Sequence, residues 1–122
     1  MAQEKLELLA VEDQESSRQA LQFILVPKYK VQFATTLKEA FEILEQKTFD
    51  IILCDMELPD GLGIDLLKKV KRDSAKQEVI MVTGVEEEGV IKEANALGVI
   101  SYVHKPLILE ELEKIVLSQM AS

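Results

Sequence analysis

The chain has 122 residues, enough for one domain built around one sizeable core. Apolar residues make up 48% and aromatics only 5%, which excludes a disordered chain and leaves Leu, Ile, Val and Ala to fill the interior. The net charge of −8, from 14 basic and 22 acidic residues, repels nucleic acid, and no run of about 18 apolar residues offers a membrane span.

The opening segment "MAQEKLELLAVED" is too acidic, and its apolar part too short, for a signal peptide. Within it "LELLAV" (6–11) reads as a first buried strand. Leu21, Ile24 and Leu25 then form a helical stripe that Pro27 closes. "VQFA" (31–34) is the second strand. Behind Thr35 and Thr36, which are suited to cap a helix, Leu37, Ala40, Phe41 and Leu44 recur at helical spacing. "DIILC" (50–54) is the third strand, and Ile64, Leu67 and Val70 mark the helix after Gly63. "EVIMVT" (78–83) is the fourth strand. Val90, Ala94 and Leu97 form the fourth helix, capped by Gly98. "VISYV" (99–103) is the fifth strand, and Leu112, Ile115 and Val116 mark the fifth helix.

Strict alternation of strand and helix implies a parallel sheet covered on both faces, an α/β fold of (βα)5 type. Right-handed crossovers make it a doubly wound sheet, whose ligand crevice lies outside the carboxyl ends of the strands. Five polar side chains stand at those ends. Glu12 and Asp13 follow strand 1, Asp55 follows strand 3, Thr83 ends strand 4 and Lys105 follows strand 5. Polar residues are ordinary where strands emerge into solvent, but three crowded carboxylates repel and call for a cation. Hard oxygen ligands suit Mg2+, whereas a single His and a single Cys do not make a zinc site. A carboxylate is a usable nucleophile towards phosphorus, and Lys105 and Thr83 can meet phosphoryl oxygens.

"VED" at 11–13, Asp55, Pro59 and Gly63 in the pattern D-x-x-x-P-x-x-x-G, "TG" at 83–84 and "ALGVISYVHKP" at 96–106 resemble the receiver domain of two-component response regulators, in its chemotaxis-regulator-like form. The match covers essentially the whole chain, residues 1–122, as one receiver domain. It implies a flavodoxin-like five-stranded sheet in the order 2-1-3-4-5. Asp55 would accept a phosphoryl group from a sensor histidine kinase or a phosphotransfer protein. Asp13 directly, and Glu12 through water, would hold Mg2+ (or Mn2+) together with Asp55 and the backbone carbonyl of Glu57. Thr83 and Lys105 would bind the phosphoryl oxygens, and Tyr102 would be the switch aromatic. The Lys105–Pro106 bond would be cis. The fourth helix, fifth strand and fifth helix would form the surface that engages an output protein or domain, and dimerisation through that surface is left open.

Glu12 departs from the Asp also common at its position. Glu57 and Val85, two residues beyond Asp55 and Thr83, sit where the family tunes phosphate lifetime, and Val85 offers no hydrogen bond to an attacking water. His104 is read as a surface residue and Cys54 as a small buried hydrophobe in a reducing, cytoplasmic setting. "GLG" (61–63) lacks the third glycine of a dinucleotide fingerprint. "EEE" (86–88) is read as the solvated start of the fourth helix. The expected function is thus a phosphorylation-controlled switch module, not an enzyme with a diffusing substrate. Two alternatives stand beside it: a receiver that only docks, and a small Mg2+-dependent aspartyl phosphatase. The latter would need a second Asp where Glu57 stands. The chain ends about where a receiver ends, as a stand-alone receiver or a piece of a longer regulator or hybrid kinase would.

Overall fold

The computed structural model describes residues 5–74, 76–83, 96, 102–105 and 107–120. Five strands form one parallel sheet: β1 (Glu7–Val11), β2 (Lys30–Ala34), β3 (Ile51–Asp55), β6 (Glu78–Thr83) and β7 (Tyr102–His104). Their order is β2-β1-β3-β6-β7, the order that the receiver resemblance implies. Among the described residues four helices accompany them: α1 (Glu15–Leu25), α2 (Leu37–Gln46), α3 (Gly63–Asp73) and α4 (Leu109–Met120). The expected fourth helix at 90–97 and its Gly98 cap lie outside the described residues, apart from the helical Ala96.

The central strands are apolar between their ends because both of their faces are covered. Leu9, Val11, Ile52, Cys54, Val79 and Met81 pack towards α2 and α3. Leu8, Ala10, Ile51, Leu53, Ile80 and Val82 alternate with them and pack towards α1 and α4. This is the period of two along a strand, applied to a sheet with no wet face. Each Leu or Ile so buried contributes roughly 1.5–3 kcal/mol, so β3, buried from Ile51 to Asp55, is held firmly in register. The outer strand β2 is exposed at alternate residues, as an edge should be.

The helices follow the stripes read from the sequence. α1 buries Leu21 and Leu25, and α2 buries Leu37 and Ala40. The Thr36 hydroxyl caps α2 by accepting from the Glu39 amide at 3.1 Å, while Glu39 Oε1 accepts from the Thr35 amide at 2.7 Å. None of the described helices is long and apolar enough to cross a membrane.

One feature is absent from the sequence reading. Between β3 and α3 the chain folds into a small antiparallel hairpin, β4 (Glu57–Leu58) and β5 (Gly61–Leu62), with Pro59 and Asp60 at its tip. "GLG" therefore serves a hairpin and a helix start, not a nucleotide turn.

Candidate functional site

The register of the sheet fixes which side chains meet. Val11 lies opposite Cys54, Asp55 opposite Val82, and Thr83 opposite His104. One step beyond these pairs come Glu12 beside Asp55, and Lys105 beside the end of β6. The strand ends thus deliver the expected residues to one edge without any long-range coincidence.

Glu12 and Asp55 are the two charged residues buried among those described, at 3% and 6% exposure, and Asp13 is half-buried. One carboxylate oxygen from each of the three lies within 4.8 Å of the others. Lys105 Nζ donates to Asp55 Oδ2 at 2.8 Å and stands 3.8 Å from Glu12 Oε1. The Gln14 amide donates to Glu12 Oε2 at 3.1 Å. An open depression lined by Asp13, Gln14, Asp55, Glu57, Pro59 and Lys105 gives access from solvent. Three carboxylates facing one ammonium leave unbalanced negative charge, and the donor set is all oxygen. Both properties fit a hard divalent cation such as Mg2+.

The electrostatics carry the same strain. Burial, foremost, holds the Glu12 carboxyl above its ordinary value, the charge of Asp55 adds to this, and the Gln14 amide and Lys105 oppose it. Burial pulls Lys105 down, but its hydrogen bond to Asp55 and the charges of Asp55, Glu12 and Asp13 outweigh that and raise it. The Cys54 thiol is pushed far up by burial and then by Asp55 and Glu12, so it stays protonated and packs as a small apolar group.

A pH dependence follows. The folded chain holds the Glu12 proton more tightly than the unfolded chain does. Without metal, Glu12 therefore favours folding most below 4.5, and stability falls as pH rises through its raised value. Thermal melts in chelator from below that pH up to neutrality should show this fall, and Glu12→Gln should flatten it. Equal slopes for the two proteins would assign the effect elsewhere.

Two residues with structural parts in this site carry no motif signal. Arg18, on α1, donates from Nη1 to the carbonyls of Glu12 (3.2 Å) and Asp13 (2.6 Å), tying the acidic turn to the helix. Asp60, at the hairpin tip, accepts from the amides of Leu37 (2.8 Å) and Lys38 (3.0 Å). An arginine five residues after an acidic turn, or an Asp–Gly pair at a tip, gives no hint of such distant partners.

Gly63 sets how closely α3 approaches β3. Its amide donates to the Met56 carbonyl at 2.8 Å. A Cβ at this position would overlap the carbonyl oxygen of Asp55 and stand 3.0 Å from the Met81 methyl. The first turn of α3 thus rests on the backbone of Asp55 itself.

Tyr102 is 37% exposed on β7. The backbones of Thr83 and His104 end their strands as expected, whereas their side chains, Val85 and Pro106 lie outside what the structure describes.

Known proteins agree with this architecture. The family model "Response regulator receiver domain" matches residues 8–117. CrdR of Helicobacter pylori, a transcriptional regulatory protein, is 35% identical over 70% of this chain and 40% of its own length. The response regulator protein PilR of Pseudomonas aeruginosa is 32% identical over 88% of this chain and 24% of its own. The chain therefore spans between about a quarter and two-fifths of these relatives. Among solved structures, a CheY-like receiver domain protein of Methanospirillum hungatei superposes with TM-score 0.85 at 27% identity, covering 96% of this chain and 98% of that one. The receiver domain of an HD domain-containing protein of Pseudomonas fluorescens gives TM-score 0.87 at 26% identity, covering 99% and 90%. With its strand order, its acidic edge and these matches along nearly all its length, the chain belongs to the response regulator receiver family.

Proposed function

We propose that this protein is a phosphorylation-activated switch in a two-component phosphorelay, with Asp55 as the phosphoacceptor. The observation that carries the reading is the contact of Lys105 with Asp55 at 2.8 Å inside a cluster of three carboxylates. An oxygen of Asp55 forms the new P–O bond as the P–N bond to a phosphohistidine of the donor breaks, and the donor imidazole takes up the electron pair. The donor is a sensor histidine kinase or a phosphotransfer protein.

Asp13, Glu12, Asp55 and the backbone carbonyl of Glu57 would hold the cation, Mg2+ or Mn2+. When bound, it offsets negative charge on the transferring phosphoryl group. Lys105 leaves the carboxylate oxygen for a phosphoryl oxygen, and the Thr83 hydroxyl donates to another. Arg18 and the register of β1 against β3 keep Glu12 and Asp13 in place through these changes. Tyr102, exposed before modification, turns inward as Thr83 moves, and the surface formed by the fourth helix, β7 and α4 changes its affinity for an output protein, an output domain or a second copy of the chain. Glu57 and Val85, two residues beyond Asp55 and Thr83 in sequence, set how long the acyl phosphate lasts. The setting is cytoplasmic.

The test is incubation with phosphoramidate or acetyl phosphate and Mg2+, followed by mass spectrometry. One hydroxylamine-labile phosphoryl group is expected on the peptide containing Asp55. A folded protein that gains none would instead be a receiver that only docks. Turnover of a diffusing phosphoester would favour the aspartyl phosphatase, against which Glu57 already argues.

A further inference from the structure

We infer that Asp60 is a positioning residue of the metal site: by gripping the first two amides of α2 it fixes the β4–β5 hairpin, and through it the Glu57 carbonyl. The inference rests on the metal-site reading above and names a residue that this reading does not use.

The hairpin has two residues in each strand. A ladder that short does not hold its own place in water. Its position must come from anchors. At one end the Gly63 amide binds the Met56 carbonyl at 2.8 Å. At the tip, both carboxylate oxygens of Asp60 are engaged, Oδ1 by Leu37 and Oδ2 by Lys38. Between these two anchors lies Glu57, which lines the depression with Asp13, Asp55 and Lys105.

The grip is built from both sides. α2 is the fixed post, because Leu37 and Ala40 are buried against the sheet. Its first turn is otherwise capped locally: Thr36 accepts from the amide of Glu39, and the Thr36 carbonyl accepts from that of Ala40 at 3.0 Å. The amides of Leu37 and Lys38 are the ones such local capping leaves over, and Asp60 reaches them from across the fold. Gly61 permits the approach. It adopts φ +153, which side chains rarely adopt, and a Cβ there would stand 2.7 Å from Leu37 Cδ1. The hydrogen bonds from the Leu37 and Lys38 amides lower the Asp60 carboxyl below its ordinary value, so the grip is closed at neutral pH.

A carboxylate that orients a ligand through an intervening element acts as an outer-shell partner. Its loss should weaken Mg2+ binding by roughly tenfold, the low end for such residues. Calorimetric titration of the full chain with Mg2+ alone measures this. Asp60→Ala should show that loss, and Asp60→Asn, which keeps one acceptor, a smaller one. The asparagine variant carries the test if the alanine variant does not fold. Thr36→Ala removes a cap from the same helix without touching the hairpin, and its Mg2+ affinity should stay within about twofold of wild type, well short of an outer-shell loss. In the metal-free state, hydrogen exchange of the amides at 57–62 should speed up in the Asp60 variants and not in Thr36→Ala. Unchanged Mg2+ affinity in both Asp60 variants would overturn the inference, as would equal losses in Asp60→Ala and Thr36→Ala. If Asp13→Asn also leaves Mg2+ binding as in wild type, the metal-site reading itself has failed.

Discussion

Gly63→Ala should cost roughly 3 kcal/mol or more, the upper range for overpacking a filled interior. The methyl would run into the carbonyl oxygen of Asp55, with the Asp55 carbonyl carbon at 3.1 Å and the Met81 methyl at 3.0 Å behind it. A flexible side chain could swing away, but a backbone oxygen at the buried end of β3 cannot. Relief requires α3 to lift off, and α3 carries Ile64, Leu66, Leu67 and Val70 into the core. Urea denaturation checks this through the midpoint at unchanged slope. A loss below about 1 kcal/mol would mean that helix and strand part more easily than close packing allows. Labelling of Asp55 should slow in the same variant, because any retreat of α3 drags on the backbone that holds the carboxylate.

Asp55→Asn should abolish labelling completely while leaving the domain folded. The amide is close in size to the carboxylate and can still accept a hydrogen bond from Lys105. The buried site loses a negative charge beside Glu12, which is already held protonated more readily than usual. Mg2+ binding should weaken by at least about tenfold, or 1.4 kcal/mol, because one of three clustered carboxylates is gone. Intact-mass measurement after phosphoramidate treatment gives the first result and calorimetry the second. Labelling of Asp55→Asn at the wild-type rate would place the phosphoacceptor elsewhere.

The acidic edge was legible because parallel strands put their carboxyl ends together. Once "LELLAV", "DIILC" and "EVIMVT" are read as strands of one parallel sheet, Glu12, Asp55 and Thr83 have to share an edge, and the register bears this out. The helical stripes were legible for a similar reason, since Leu21 with Leu25 and Leu37 with Ala40 each lie on the face that is buried. The β4–β5 hairpin was not. Two residues per strand are too few for a period of two to register against the background. Asp60 and Arg18 were invisible for another reason. Their partners are backbone amides and carbonyls, which every residue has, so no side-chain pattern announces them.

The double anchoring of the hairpin also constrains how this segment can vary in length. Gly63 is tied to Met56, the residue next to Asp55, and Asp60 is tied to the first turn of α2. An extra residue between Asp55 and Gly63 would have to bulge against one tie or break the other, and a deletion would pull the tip off its helix. Loops ordinarily absorb insertions and deletions, but this one behaves as a cassette of fixed length. Grafts that exchange it between receivers should transplant it whole, together with the turn of helix that it grips.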